Sequence, residues 1–268
     1  MEKQQLSGLS LQELQQVMNE LGQPKFVATQ IAQWLYQKQI FSFDEMTNVS
    51  KKVRELLSEN FVLGRKAPVE CAESKDGTIK YLYQTDAGHY IETVYIPDRD
   101  RATLCVSSQV GCKMGCRFCM TGRQGFQANL TAGDILNQIY APPQFDRLTN
   151  IVFMGQGEPF DNTDNVMRAL EILTADYGLA WSPKRITVST VGVVKGLKRF
   201  LDESKCNLAI SLHFAFAQDR ERFMPAQKPW PIDDVVELLK GYDFCRDHNE
   251  EDPREGSRQR RLSFEYIL

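Results

Sequence analysis

RITVSTVGVVKGLKRFLDESKCNLAISLHF, residues 185–214, holds two short apolar runs separated by one amphipathic segment. RITVST (185–190) is rich in β-branched residues and reads as a strand. VVKGLKRFLDE (193–203) spaces its apolar residues as a helix does, and NLAISLHF (207–214) is a second apolar strand. A strand, a helix and a strand in that order are two parallel neighbours joined by a right-handed crossover.

The same alternation extends in both directions. Upstream lie the strand ATLCVSSQ (102–109), the helix TAGDILNQIYA (131–141) with Thr131 at its N-cap, the strand LTNIVFMG (148–155) and the helix DNVMRALEILTADYG (164–178). Downstream lie the helix PIDDVVELLKGYDF (231–244), the polar loop CRDHNEEDPREGSRQRR (245–261) and the strand RLSFEYIL (261–268). Five strands interleaved with helices predict an α/β barrel or an open doubly wound sheet. A buried parallel strand needs neighbours on both edges, so either the first strand closes on the fifth or the sequence continues beyond Leu268. The second is the expectation.

Ahead of this core the pattern changes. LSLQELQQVMNELG (9–22), KFVATQIAQWLYQKQ (25–39) and NVSKKVRELLSENF (48–61) are three helices. Leu11, Leu14, Val17, Met18 and Leu21 form the stripe of the first, with Ser10 as its N-cap. Phe26, Ile31, Trp34 and Leu35 point the second toward a core, and Val49, Val53, Leu56 and Leu57 the third. VECAES (69–74), TIKYLYQT (78–85) and HYIETVYIP (89–97) are β-rich runs separated by DG and DAG turns, hence antiparallel strands. The predicted organisation is a helical module over 1–66, a β extension over 67–98 and the core over 99–268.

Composition is ordinary for a globular chain of 268 residues, 42% hydrophobic and 25% charged, with a formal net charge of −3. A nucleic-acid partner would need a local basic patch. One candidate is Arg99, Arg101, Lys113, Arg117 and Arg123, opposed in that window only by Asp100. No apolar run is long enough to span a bilayer, and MEKQQLSGLS has no signal-peptide core. A cytoplasmic protein away from membranes is expected.

Seven cysteines are an odd number for a disulfide framework, and three of them cluster as C-x3-C-x2-C at Cys112, Cys116 and Cys119. The cluster follows the first core strand at its C-terminal end, the face on which barrel enzymes carry function. Structural zinc takes four ligands, and only His89 or His213 could supply a fourth from afar. An iron–sulfur cluster with one open iron is the favoured reading. Phe118 between two ligands would shield it.

These residues resemble the RlmN/Cfr family of the radical S-adenosylmethionine (SAM) superfamily. The resemblance is carried by CVSSQVGCKMGCRFCMTGRQGFQANLT (105–131), ETVYIPDRDRATLC (92–105), GQGEP (155–159), ITVSTVG (186–192), SLH (211–213) and FEY (264–266). It extends to the helical module and is nearer to the RlmN branch than to Cfr. It implies a partial (β/α)6 TIM-like barrel, cut after the fifth strand, with the helical module as an RNA-binding accessory. It implies a 4Fe–4S cluster on Cys112, Cys116 and Cys119, and SAM held by Gly157, Glu158, Ser189, Ser211, Leu212 and His213. The implied activity is methylation of adenine C2 in 23S rRNA and tRNA by a likeness to that family's radical route, with electrons from a donor such as flavodoxin and the enzyme a monomer.

By the same resemblance Glu92 accepts the proton leaving C2. Cys105 resolves a covalent RNA adduct by forming a disulfide with a methyl-bearing cysteine. Read alone, Cys105 is a core cysteine and Glu92 an outward strand carboxylate. Cys71, Cys206 and Cys245 match no functional position. The family pattern continues with a sixth strand carrying a SAM-binding Asn and with the methylated cysteine, so a chain ending at Leu268 is expected to hold a cluster without completing methylation. Phe214-Ala215 after SLH and the polar loop at 246–260 also depart from the pattern. The competing readings are a Cfr-like adenine-C8 methyltransferase and a non-catalytic iron–sulfur or zinc RNA-binding protein.

Overall fold

A computed structural model describes residues 3–244 and 260–267. Cys245 and most of the polar loop lie outside the described residues.

The helical module is closed by two short strands, β1 (Gln4–Gln5) and β2 (Phe61–Val62), paired in parallel. Between them run α1 (Leu11–Glu20), α2 (Lys25–Ala32) and α3 (Lys51–Asn60). Ser10 caps α1 with a full capping box: its hydroxyl accepts from Glu13 N at 3.2 Å, and Glu13 Oε2 accepts from Ser10 N at 2.8 Å. Leu14, Val17 and Met18 are buried, while Leu11 and Leu21 are half-buried at the ends of the stripe. Phe26 departs from expectation and is 64% exposed. The buried face of α2 is Val27, Ala28, Ile31 and Ala32, and at 100° per residue Phe26 falls on the opposite side.

Among the described residues the main sheet has eight strands. In chain order they are β3 (Glu70–Glu73), β4 (Ile79–Gln84), β5 (Tyr90–Asp98), β6 (Arg101–Cys105), β9 (Asn150–Phe153), β10 (Ile186–Thr190), β11 (Asn207–Ser211) and β12 (Leu262–Glu265). A separate two-residue pair, β7 (Gln109–Val110) and β8 (Ala128–Asn129), is antiparallel. The sheet order is β12-β11-β10-β9-β6-β5-β4-β3. The pairs from β6 to β12 are parallel; β3 to β6 form an antiparallel meander. The β extension is therefore continuous with the core sheet. It also rules out closure of the first core strand on the fifth, because β5 occupies the free edge of β6.

The crossovers are α5 (Ala132–Tyr140), α6 (Thr163–Thr174), α7 (Val194–Glu203) and α9 (Ile232–Lys240), after a short α4 (Met120–Gln124) and before and after a seven-residue α8 (Ala217–Phe223), both unforeseen. Thr131 caps α5 with Asp134, as the sequence indicates. Leu104, Ile151, Phe153, Ile186, Val188, Leu208 and Ile210 are buried at 2% exposure or less. Each contributes about 1.5–3 kcal/mol by leaving water. Alternation along the strands turns Cys105, Ser189, Ala209, Ser211 and Glu265 to the other face. Among the described residues no helix is long and apolar enough to cross a membrane.

Candidate active site

The strand β6 ends at Cys105, and the chain passes through buried Ser107, Ser108 and Gln109 into the cysteine loop. The β7–β8 pair clasps that loop at its base, pairing Gln109 with Asn129 and Val110 with Ala128. Gly111 has φ +73°, and a Cβ there would lie 1.7 Å from the carbonyl oxygen of Gly125. Only glycine allows that approach, which lets Cys112 N donate to Gly125 O at 3.2 Å. Farther along, Arg117 N donates to Phe223 O at 2.8 Å and fastens the loop to α8.

Cys112, Cys116 and Cys119 line one cavity of about 220 Å³. Burial pushes the Cys112 thiol up to about 12 and the Cys116 thiol up to about 11. Both are protonated at neutral pH, so a metal group must displace protons to bind there. Among the described residues, no three His, Cys, Asp or Glu side chains converge as ligands of a single ion. The three thiols border one cavity, and a cubane takes one thiolate per iron.

Gly155, Gly157, Glu158 and Pro159 of the GQGEP stretch also border this cavity. Gly157 has φ +95°, and a Cβ would lie 2.4 Å from Gln109 Cβ. Gln109 organises this corner: its Oε1 accepts from Glu158 N at 2.9 Å, and its Nε2 donates to Asn129 Oδ1 and Asp161 Oδ2 at 2.8 and 2.7 Å. Glu158 is buried and borders the cavity, yet its oxygens are already engaged. Oε1 accepts from Thr190 Oγ1 at 2.6 Å and Phe160 N at 3.0 Å, and Oε2 accepts from Val191 N at 3.0 Å. It ties the loop after β9 to the end of β10.

Burial pushes the Glu158 carboxyl up to about 7, while its three donors act the other way. A folded-state value above the unfolded one means the stabilisation is complete below the ordinary carboxylate range and is lost as pH rises through about 7. Glu158→Gln abolishes that slope and leaves the Val191 amide facing another donor. The expected cost is about 1–3 kcal/mol, read from denaturant melts across pH. A variant with native stability and an unchanged slope would contradict these contacts.

Ser189 and Ser211 end neighbouring strands and border the same cavity. Both hydroxyls donate to Glu265 Oε2, at 2.8 and 3.2 Å. Glu265 also lines the cavity and was not among the residues anticipated from sequence. It arrives by register, because β12 sets Glu265 opposite Ser211. The signals were its place in the FEY stretch (264–266) and a carboxylate closing an apolar strand.

Leu212 and His213 both donate their backbone N–H to Glu265 O, at 3.1 and 2.9 Å. Leu212 packs on the core and His213 lines the cavity. His213 has φ +58°, a strained conformation of the kind that clusters at functional sites. Its Nδ1 is buried with no partner among the described residues. Burial holds the imidazole below its ordinary value, Glu265 opposing and Arg220 reinforcing the shift, so the ring is neutral at pH 7. Phe118 meets it edge-on at 5.3 Å between ring centres.

Glu92 and Cys105 do not line this cavity. Cys105 pairs with Val94 across β5–β6, which puts Glu92 two residues away on the same face. Glu92 is half-exposed and pairs with Lys80 at 2.8 Å. Burial pushes the Cys105 thiol up to about 11, although the amide of Met154, which does line the cavity, donates to it. Cys71 is exposed and Cys206 buried; all six cysteines among the described residues are free thiols. The basic patch is weaker than its sequence count, because Lys113 pairs with Asp161 at 2.9 Å and sits over the Phe126 ring.

The thiol set, the two left-handed glycines and the orphaned His213 nitrogen fit a 4Fe–4S cluster with a polar ligand beside it. Comparison with known proteins agrees. A family model described as the ribosomal RNA large subunit methyltransferase N-terminal domain matches residues 4–63, and one described as the radical SAM superfamily matches residues 106–247. A protein of Bacteroides fragilis (strain YCH46) called a probable dual-specificity RNA methyltransferase RlmN is 59% identical over all of this chain, which spans 74% of that relative. The dual-specificity RNA methyltransferase RlmN of Desulfotalea psychrophila is 40% identical, with the same two coverages of 100% and 74%. The crystal structure of a radical SAM methyltransferase from Sphaerobacter thermophilus superposes with a TM-score of 0.85 at 38% identity, covering 99% of this chain and 76% of that one.

Proposed function

The chain belongs to the RlmN family of radical SAM RNA methyltransferases, and on that premise we propose that it methylates C2 of adenine in 23S rRNA and in tRNA. The observation that carries this reading is the single cavity into which the three cysteines, Gly157, Ser189, Ser211 and His213 all open. C2 of adenine is not nucleophilic, so polar methyl transfer fails there and a radical route is needed. A 4Fe–4S cluster supplies the electron that cleaves SAM reductively.

Cys112, Cys116 and Cys119 hold that cluster. Gly157 lets the backbone approach SAM without a Cβ between them. Ser189 and Ser211 present hydroxyls to its polar groups, with Glu265 orienting both. Leu212 and His213 form the wall at the end of β11, and Glu158 fixes the position of the GQGEP loop. Phe118 keeps water from the cluster. Glu92, held by Lys80, accepts the proton that leaves C2. Cys105 would give the thiol that resolves the enzyme–RNA adduct, forming a disulfide with the family's methyl-bearing cysteine as the product is released. Residues 1–66, with the exposed arginines near the cysteine loop, grip RNA in which the target base is unstacked. The protein works as a cytoplasmic monomer with a flavodoxin-type electron donor.

The test is nucleoside mass spectrometry on rRNA and tRNA from a strain deleted for its own enzyme and carrying this chain extended through the family's sixth strand and methyl-bearing cysteine. 2-Methyladenosine is the expected product. 8-Methyladenosine would assign the Cfr-like reaction instead, and unmodified RNA alongside a zinc-bearing protein would leave a binding protein. In the same extended chain Cys105→Ala is expected to accumulate enzyme crosslinked to RNA through the methyl-bearing cysteine, seen as a slow band removed by nuclease. Free variant that still turns over would deny Cys105 the resolving role.

A further inference from the structure

Arg220 is fully buried, the largest side chain of the described residues to be so, and the proposed reaction gives it no task. It lies on α8, whose last residue, Phe223, holds the cysteine loop through Arg117 N. Its guanidinium donates through Nη1 to Gln227 Oε1, and through Nη2 to Val191 O at 2.8 Å and Ser211 O at 3.3 Å. Val191 and Ser211 both border the site cavity, as does Met224, whose amide donates back to Arg220 O at 2.6 Å. The Nε has no partner. Every acceptor it has is neutral, and among the described residues no carboxylate forms an ion pair with it.

A buried charge without a counter-ion is strongly disfavoured. The helix that carries Arg220 is fastened to the cysteine loop by the bond from Arg117 N to Phe223 O, and its acceptors Val191 and Ser211 border the same cavity as Cys112, Cys116 and Cys119. The positive charge is therefore buried beside the cavity that the cysteines line, in a region of low dielectric where fixed charges act strongly. Three thiolates on a 4Fe–4S core make a net anion, and taking up one electron makes it more negative. A fixed cation at this position stabilises the reduced form over the oxidised one.

We propose that Arg220 is the built-in counter-charge of the iron–sulfur centre, held on the neutral carbonyls of Val191 and Ser211 so that its charge is available to raise the centre's reduction potential. This rests on the radical SAM reading above. Arg220 acts through the cluster and is a positioning and tuning residue, with no contact to the RNA.

The experiment is a dithionite redox titration of the reconstituted protein, followed by the electron paramagnetic resonance (EPR) signal of the reduced cluster, for wild type, Arg220→Met and Arg220→Lys. Met conserves the apolar stem and removes the charge; Lys keeps the charge and loses the fork. Arg220→Met is expected to hold its cluster with a midpoint about 59 mV lower or more, a tenfold fall in the reduced-to-oxidised ratio at fixed potential. Arg220→Lys is expected near the wild-type midpoint. An Arg220→Met protein with a full cluster and an unchanged midpoint overturns the proposal. Should the Met variant lose its cluster, the Lys variant decides: a cluster at the wild-type midpoint supports the counter-charge, and a lowered midpoint or no cluster overturns it in favour of a purely structural fork. If wild type itself takes up no iron and sulfide, the functional reading fails, and that result is separate from any difference among the variants.

Discussion

Cys116→Ala is expected to leave a folded chain that takes up no iron–sulfur cluster and cleaves no SAM. Of the three ligand positions Cys116 is the most buried, at 8% exposure. Its carbonyl accepts from Cys119 N at 3.1 Å, a contact that Ala preserves. The loop is anchored independently by the β7–β8 clasp and by the bond from Arg117 to Phe223. Loss of one buried sulfur therefore costs about 1 kcal/mol of stability, whereas two remaining thiolates cannot carry the cluster. Circular dichroism, iron and sulfide analysis, and 5′-deoxyadenosine release read the three quantities separately. A Cys116→Ala protein with a full cluster would sink the ligand assignment.

Gly111→Ala is expected to abolish cluster loading without touching a ligand. The added Cβ would sit 1.7 Å from a backbone oxygen, that of Gly125, at a residue with φ +73°. Backbone cannot swing aside as a side chain does, so the loop must open and carry Cys112 with it. The left-handed conformation alone costs about 1–2 kcal/mol. Gly125→Ala supplies the control. It has nearly the same φ, +72°, but no atom within 4 Å of its added Cβ. It should lose only the conformational part, a melting shift of about 2–4 °C per kcal/mol at this chain length, and should load its cluster normally. Equal loading of the two variants would show that the close approach at Gly111 is not what shapes the site.

The periodicity revealed the crossovers, whereas the residues of the site were named by resemblance to the family. Apolar strands announce themselves, and parallel strands all end on one face, so Ser189, Ser211 and His213 meet the cysteine loop there. Glu265 and Arg220 were harder to see because their neighbours are remote in sequence. Ser189 and Glu265 are 76 residues apart and meet only through lateral register. AQDRERF reads as a solvated turn of helix, and nothing in it distinguishes buried Arg220 from exposed Arg222. The exposure of Phe26 is an error of helical phase rather than of element. Glu158 carries a different lesson. Its type and place suggest a ligand to substrate, but its oxygens serve Thr190, Val191 and Phe160. His213 was named by resemblance alone; its left-handed backbone and unpartnered Nδ1 become visible only in three dimensions.

The most direct measurement is anaerobic reconstitution of the purified chain with iron and sulfide, followed by metal analysis and by EPR of the reduced protein before and after SAM is added. The expected result is one 4Fe–4S cluster per chain whose signal changes on adding SAM, with methionine and 5′-deoxyadenosine released under reductant. Bound zinc without acid-labile sulfide, or a cluster whose signal ignores SAM, would contradict the assignment of this cavity to radical SAM chemistry.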